Sequence, residues 1–265
     1  MKIVVCVKAV PDPKEADKIR IDPETKTLMR GDVPIVLNPL DKHAVEAAVQ
    51  LKRKYDATVT ILSMGPPAAG NIVKECLALG ADQGILLSDR AFGGADAYAT
   101  AYTLAKGIEK IGEFHLIFCG MASSDGATEW VGPQVATFLG VPVVTMVNEI
   151  MDDSNDEWLV KTAWEDGHRK VAVQLPAVLT VAREINKPKS LSFSGIIKAR
   201  KKEIITWSGD DLGVSPEMVG FKGSPTIVGG FGTLETGRNV EFLEGTAEEM
   251  AERLVGILSD SGAIG

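Results

Sequence analysis

Four segments of this chain place glycine, hydroxyl and carboxylate residues directly after short apolar runs, where a phosphate or a nucleobase could be held. Lys8-Ala9-Val10-Pro11 follows the run at 3–7, and Ser63-Met64-Gly65 ends the run at 58–63. A third segment, 88–96, contains Phe92, Gly94, Ala95 and Asp96 and leads to Thr100. The fourth starts at Cys119-Gly120, passes through Ser124, Asp125, Gly126 and Thr128, and reaches Val131-Gly132-Pro133-Gln134. Glycine lets a backbone approach a ligand closely, and a helix start turns unpaired N–H groups toward an anion. Helix starts near Ala95 and Thr128 would together cradle phosphates without any lysine. Asp96 reads equally as a helix N-cap or as a carboxylate orienting ligand hydroxyls or water beside a pyrophosphate. Any one such loop is an ordinary turn, whereas four on one edge point to a nucleotide site.

Side-chain catalysis finds little support in the same residues. Cys6, Cys76 and Cys119 are far apart, as are His43, His115 and His168. Without a CxxC pair the cysteines read as buried, reduced thiols, and no metal site is expected. HExxH, GxSxG and GxxxxGK[ST] are absent, and no GxGxxG follows the first apolar run. No catalytic side chain is therefore expected.

The loops need a scaffold, and periodicity supplies one. Apolar runs at 3–7, 58–63, 84–87 and 114–119 alternate with helical patterns at 41–55, 71–79, 95–111 and 128–139. Continuous apolar strands alternating with amphipathic helices predict a doubly wound α/β fold with a mostly parallel sheet covered on both faces. Residues 158–164 and 169–175 flank Glu165-Asp166-Gly167-His168 as an antiparallel hairpin, and 177–182 reads as a further strand. The nucleotide-binding domain is expected to span 1–185. Residues 186–265 read as an extended C-terminal arm, with a docking loop near 186–205 and a terminal helix near 247–259. The basic run Lys198-Ala-Arg-Lys-Lys202 is either a solvated face or part of that docking surface.

A net charge of −8 argues against binding nucleic acid or an anionic membrane surface. No apolar run reaches the roughly 20 residues of a membrane span. The start reads as a first strand rather than a signal peptide, since Lys8 and Pro11 interrupt it, and cytoplasm is the expected location.

The string Val4-Val5-Cys6-Val7-Lys8-Ala9-Val10-Pro11-Asp12 resembles the opening of the electron-transfer flavoprotein β-subunit family. Asn38-Pro39-Leu40-Asp41, Met64-Gly65-Pro66-Pro67, Asp125-Gly126 with Val131-Gly132-Pro133, and Lys187-Pro188 ahead of 197–201 follow in that family's order. The likeness covers nearly the whole chain. It implies an adenine-nucleotide α-hydrolase-like fold and an adenine nucleotide held under Ala9, Asn38, Pro39, Asp41, Ser63, Met64, Gly65 and the stretch from Gly126 through Thr137. That nucleotide is AMP in the simpler carriers and FAD in the electron-bifurcating group, whose flavin-binding segment is similar to 88–100 here.

The resemblance further implies an electron-transfer flavoprotein α subunit as partner. NADH would be the donor, ferredoxin or flavodoxin the low-potential acceptor, and an acyl-CoA or hydroxyacid flavin dehydrogenase the other. It implies that Phe193 anchors the dehydrogenase while Lys198, Arg200 and Lys201 steer it. Met121-Ala122 and Glu129-Trp130 depart from the bifurcating pattern, which often has Arg-Gln and Ala-Gln at these places.

Overall fold

The chain, seen here as a computed structural model, is described for residues 1–18, 20–21, 28–29, 33–152, 157–227 and 240–264. Strand β1 (Lys2–Val7) shows why the first apolar run is unbroken. Ile3, Val5 and Val7 enter one core while Val4 and Cys6 enter another on the opposite face, as the two-residue pleat requires. The chain then alternates through α1 (Pro39–Tyr55), β2 (Thr58–Met64), α2 (Gly70–Leu79), β3 (Gln83–Leu87), α3 (Ala97–Ile111), β4 (Leu116–Gly120) and α4 (Val131–Leu139). Helices α1 and α2 cover the first core, and α3 and α4 the second.

Five further strands and one helix follow: β5 (Val143–Asp152), β6 (Glu157–Trp164), β7 (Gly167–Gln174), β8 (Ala177–Val181), then α5 (Phe193–Arg200) and β9 (Ile204–Trp207). The nine strands form one sheet in the order β7-β6-β5-β8-β4-β1-β2-β3-β9. Pairings are parallel except those of β6, which runs against both its neighbours. The fold is the doubly wound α/β arrangement expected, with its antiparallel hairpin. From β1 the chain moves outward through β2 and β3, then returns to lay β4 on the other side of β1. This reversal opens a crevice between the carboxyl ends of β1 and β4, the usual ligand position in such sheets. Short antiparallel pairs, Ala9–Pro11 with Ile35–Leu37 and Arg20–Ile21 with Leu28–Met29, stand outside the main sheet.

Beyond 185 the chain is more ordered than its sequence suggests. Ser192 Oγ accepts from Gly195 N at 3.0 Å and so caps α5 within the stretch expected to be a loop. Gly195 permits close packing on α2, because a β-carbon there would collide with the Ala78 carbonyl oxygen. Ile204 to Trp207 then pair in parallel with Gly84 to Leu87. The first compact unit is therefore Met1–Val228 rather than ending near 185, and Gly229–Gly265 forms a second. That second unit contains the terminal helix Ala247–Asp260, opened by a capping box between Thr246 and Glu249.

Candidate functional site

Asn38 is the residue through which the crevice is assembled. Its backbone N–H donates to the Lys8 carbonyl at 3.0 Å, which fixes the entry to α1 against the end of β1. Its side chain, only 1 % exposed, donates from Nδ2 to the Ala122 carbonyl at 2.9 Å and accepts from Ser124 N at 3.1 Å. One buried amide thus ties the connection after β1 to the connection after β4.

Asp41, in the first turn of α1, spans the same gap more deeply. Its Oδ2 accepts from Lys8 N at 2.7 Å and its Oδ1 from Gly120 N at 3.1 Å. Burial pushes this carboxyl up to about 7, against opposing hydrogen bonds from the Asn38 side chain and the Lys8 and Gly120 backbones. Only glycine fits at 120, since a β-carbon would run into the Asp41 carboxylate. Above this pair, Lys8 Nζ meets Asp125 Oδ1 at 2.6 Å and Ser123 Oγ at 3.4 Å. Burial pushes the Asp125 carboxyl up, but the Lys8 ammonium more than offsets it, and the group lies below its usual range.

The start of α4 forms the far wall. Gly132 lets the helix sit directly on the sheet, where a β-carbon would strike Thr180 Cγ2 and lie 3.8 Å from Cys119 Sγ. No side chain caps this helix at Trp130, so the first N–H groups, those of Val131 and Gly132, lack the side-chain acceptor that a helix start commonly has. The approach is strained: Ala127 and Glu129 take φ of 46° and 60°, a left-handed conformation that non-glycine residues adopt at a cost. Thr128, Glu129, Trp130 and Pro133 line an open cavity here, and Trp130 is 65 % exposed. Ser63 Oγ near the end of β2 and Gln134 Oε1 in α4 are buried without hydrogen-bond partners, on opposite faces of the sheet: Ser63 is the register partner of Val7, which enters the first core, whereas α4 covers the second. Met64 and Gly65 follow at the strand end, and Gly65 turns tightly over Ala69.

The third expected loop is arranged differently. Phe92 is a buried core residue. Asp96 caps α3 by accepting from Ala99 N at 3.0 Å, and its other oxygen accepts from Thr226 N and Oγ1 at 3.0 and 2.7 Å. Ser224 Oγ accepts from Asp96 N at 2.8 Å, and Phe221 N donates to Gly93 O at 2.9 Å. Gly94 and Gly220, both left-handed, permit this contact: a β-carbon on Gly94 would meet Phe221, and one on Gly220 the Ala91 carbonyl. Ala95 and Thr100 lie beside this closure, Thr100 N donating to Asp96 O. The capping reading of Asp96 is therefore the one the geometry displays, and residues 220–226 cover a helix start expected to face ligand.

The structure thus joins Lys8, Asn38, Asp41, Gly120, Ser124 and Asp125 in one bonded network, with Ala9 and the α4 start adjoining. Residues 92–100 form a second group one strand further out. Lys8 heads one of the segments read as a strand-end loop, but its side chain, like Ser123 and the strap 220–226, was given no role from the sequence; a lone cation directly after a buried strand was the available clue for it. Phe193 is 80 % exposed on α5, with Lys198, Arg200 and Lys201 exposed beside it.

The sheet order, the crossovers and the crevice define a doubly wound α/β protein of the kind that holds nucleotides at a strand-order reversal. Comparison with known proteins narrows the class. The electron transfer flavoprotein domain family matches residues 25–212. The chain is 44 % identical over 260 residues to the electron transfer flavoprotein subunit beta of Clostridium acetobutylicum, covering 98 % of each. It is 42 % identical to the caffeyl-CoA reductase–Etf complex subunit CarD of Acetobacterium woodii, covering 100 % of both. It is 38 % identical to the acryloyl-CoA reductase electron transfer subunit gamma of Anaerotignum propionicum, covering 96 % of the chain and 97 % of the relative. The chain belongs to the electron transfer flavoprotein β-subunit family.

Proposed function

We propose that this chain is the cytoplasmic β subunit of an electron-transfer flavoprotein heterodimer and holds FAD in the crevice between β1 and β4. The observation that carries the reading is the uncapped start of α4 at the strand-order reversal, where Thr128, Glu129, Trp130 and Pro133 line an open cavity. The residues fit such a group: the first N–H groups of α4 suit a phosphate, Gly126 leaves room for close backbone approach, and Lys8 supplies a cation at the rim.

When bound, FAD would supply the redox chemistry, hydride uptake from NADH and single-electron release toward ferredoxin or flavodoxin and the α-subunit flavin. The chain's own residues bind and orient. Asn38 holds the two walls of the crevice in register. On α5, Phe193 presents an apolar anchor to a partner flavin dehydrogenase of the acyl-CoA or hydroxyacid type. Lys198, Arg200 and Lys201 steer an acidic face toward it.

A second reading, a simpler carrier holding AMP, is favoured by the closure of the α3 start under 220–226, which leaves α4 as the more open cradle. Purifying the αβ complex and counting its nucleotides separates the two. Two flavins per dimer are expected, one of them bleached by NADH; one flavin with AMP would establish the second reading instead. Two flavins without reduction by NADH would remove the donor while leaving the cofactor.

A further inference from the structure

Among the residues at the crevice, Asp41 does something that no contact with a ligand requires. It is 6 % exposed, and its two oxygens are committed to backbone N–H groups on opposite sides of the strand-order reversal, Lys8 at 2.7 Å and Gly120 at 3.1 Å. Those N–H groups belong to the residues from which the two crevice walls depart. The glycine at 120 brings the carboxylate and the β4 backbone into direct contact, so little slack remains between them. Resting on the reading that a nucleotide occupies this crevice, we propose that Asp41 is a positioning residue that clamps the ends of β1 and β4 at nucleotide width, and that protonation loosens the clamp, so that nucleotide retention is coupled to pH.

The physical basis is the difference between charged and neutral acceptors. Hydrogen bonds to an ionised carboxylate are roughly twice as strong as those to a neutral group. A protonated Asp41 would also carry a donor with a backbone N–H in front of each oxygen. The charged groups around it do not remove this coupling. Lys8 extends its ammonium to Asp125 on the crevice rim rather than to Asp41, and Lys42 on α1 lies 3.9 Å from Glu75 on α2. The remaining ionisable neighbours are the thiols of Cys76 on α2 and Cys119 on β4, both held protonated above their ordinary range: Cys76 by burial first, Cys119 by its hydrogen bond with Cys6 and by burial. His43, next on α1 but one, points away to the Asn186 carbonyl at 3.1 Å. Asp41 is left as the group at the crevice that changes charge near neutrality, at about 7.

The sign follows directly. Above the folded value of about 7 the carboxylate is charged and the clamp tight; below it the group is neutral and the clamp slack. Global stability runs the other way, since an acid whose folded value is raised stabilises the fold as pH falls from about 7 toward its unfolded value near 3.9. A loss of nucleotide at mildly acid pH would therefore not reflect unfolding.

The test uses the αβ complex stripped and reloaded with FAD or, separately, AMP, and follows nucleotide release after dilution between pH 6 and 8.5. Wild type is expected to release nucleotide about fivefold faster at pH 6 than at pH 8, the factor corresponding to weakening charge-assisted bonds to neutral ones. Asp41→Asn, nearly isosteric, should release fast at every pH and keep only the slope that the nucleotide's own phosphate imposes. A mutant profile parallel to wild type overturns the proposal. Should that variant not fold, carbon-13 titration of the Asp41 carboxyl in wild type, with and without AMP, decides instead. AMP is expected to lower the midpoint, and an unmoved midpoint overturns the coupling. A complex that takes up neither FAD nor AMP at any pH would remove the site reading itself, a distinct result.

Discussion

Ser63 and Asp41 show what a residue's type reveals and what it conceals. A serine at the end of a buried strand is readable as a ligand contact, and the structure leaves its hydroxyl buried and unpartnered. Replacing it by alanine should weaken nucleotide binding about three- to tenfold, the usual worth of one neutral hydrogen bond, while leaving the stability of the nucleotide-free protein nearly unchanged. Isothermal titration beside thermal melts would check both halves, and a variant that binds normally would place the nucleotide elsewhere. Asp41 was visible only as the start of a helical pattern and as part of a family motif, and its commitment to two backbone N–H groups was not visible at all. Sequence carries no record that residues 79 positions apart, Asp41 and Gly120, meet across the sheet. Asp96 had both of its readings on view from the start. Which one the structure displays depended on Thr226, 130 residues away.

At the scale of elements, the main-sheet strands and the long helices of the first 140 residues were legible because each is buried by a repeating pattern of its own. Three later elements were not. Strand β5 follows Pro142 and mixes apolar with polar residues; it is only partly buried, so neither alternation nor a continuous apolar run marks it. Strand β9 has four residues at a sheet edge between a basic run and a glycine-rich stretch, too short for a period to show. Helix α5 has a short apolar stripe interrupted by Gly195, whose value lies in its contact with Ala78 rather than in helix propensity. That contact gives α5 a rigid seat. Phe193 therefore projects from a fixed helix start rather than from a pliable loop, and Phe193→Ala should cut electron delivery to the partner dehydrogenase about tenfold, as loss of a central apolar anchor does. Melting temperature should not move, because the ring is 80 % exposed. Steady-state transfer with the physiological dehydrogenase is the measurement, and an unchanged rate would remove the anchor role. Neutralising Lys198, Arg200 and Lys201 should instead reduce the salt dependence of association.

For the molecule as a whole, the stretch after 185 was read as an arm in search of a partner, and the first compact unit in fact absorbs it as far as Val228. Burial that looks absent along the sequence is supplied across it: Val219 is 1 % exposed in the second core, and residues 220–226 close over the loop after β3. Asp96 fastens that closure, so Asp96→Ala removes a helix cap together with the bonds to Thr226. A loss of about 1–3 kcal/mol is expected, with hydrogen exchange rising first in 216–227 rather than throughout the sheet. Uniform loosening would show that the strap is held by other contacts.

Strand β9 has a consequence for how the molecule comes into being. Its register partner in β3 precedes it by 120 residues, Gly84 against Ile204. During synthesis the apolar β3 must wait, with one side of its backbone unpaired, until the chain has laid down the entire opposite half of the sheet. An unpaired, apolar strand edge recruits other chains, and such long-range closure is slow. The basic run 198–202 emerges immediately ahead of β9 and travels with it to that edge, where Lys202 Nζ bonds the Ala81 carbonyl at 2.6 Å. The cations proposed for docking would thus also accompany the last strand to its edge, where charge disfavours pairing by a neighbouring chain.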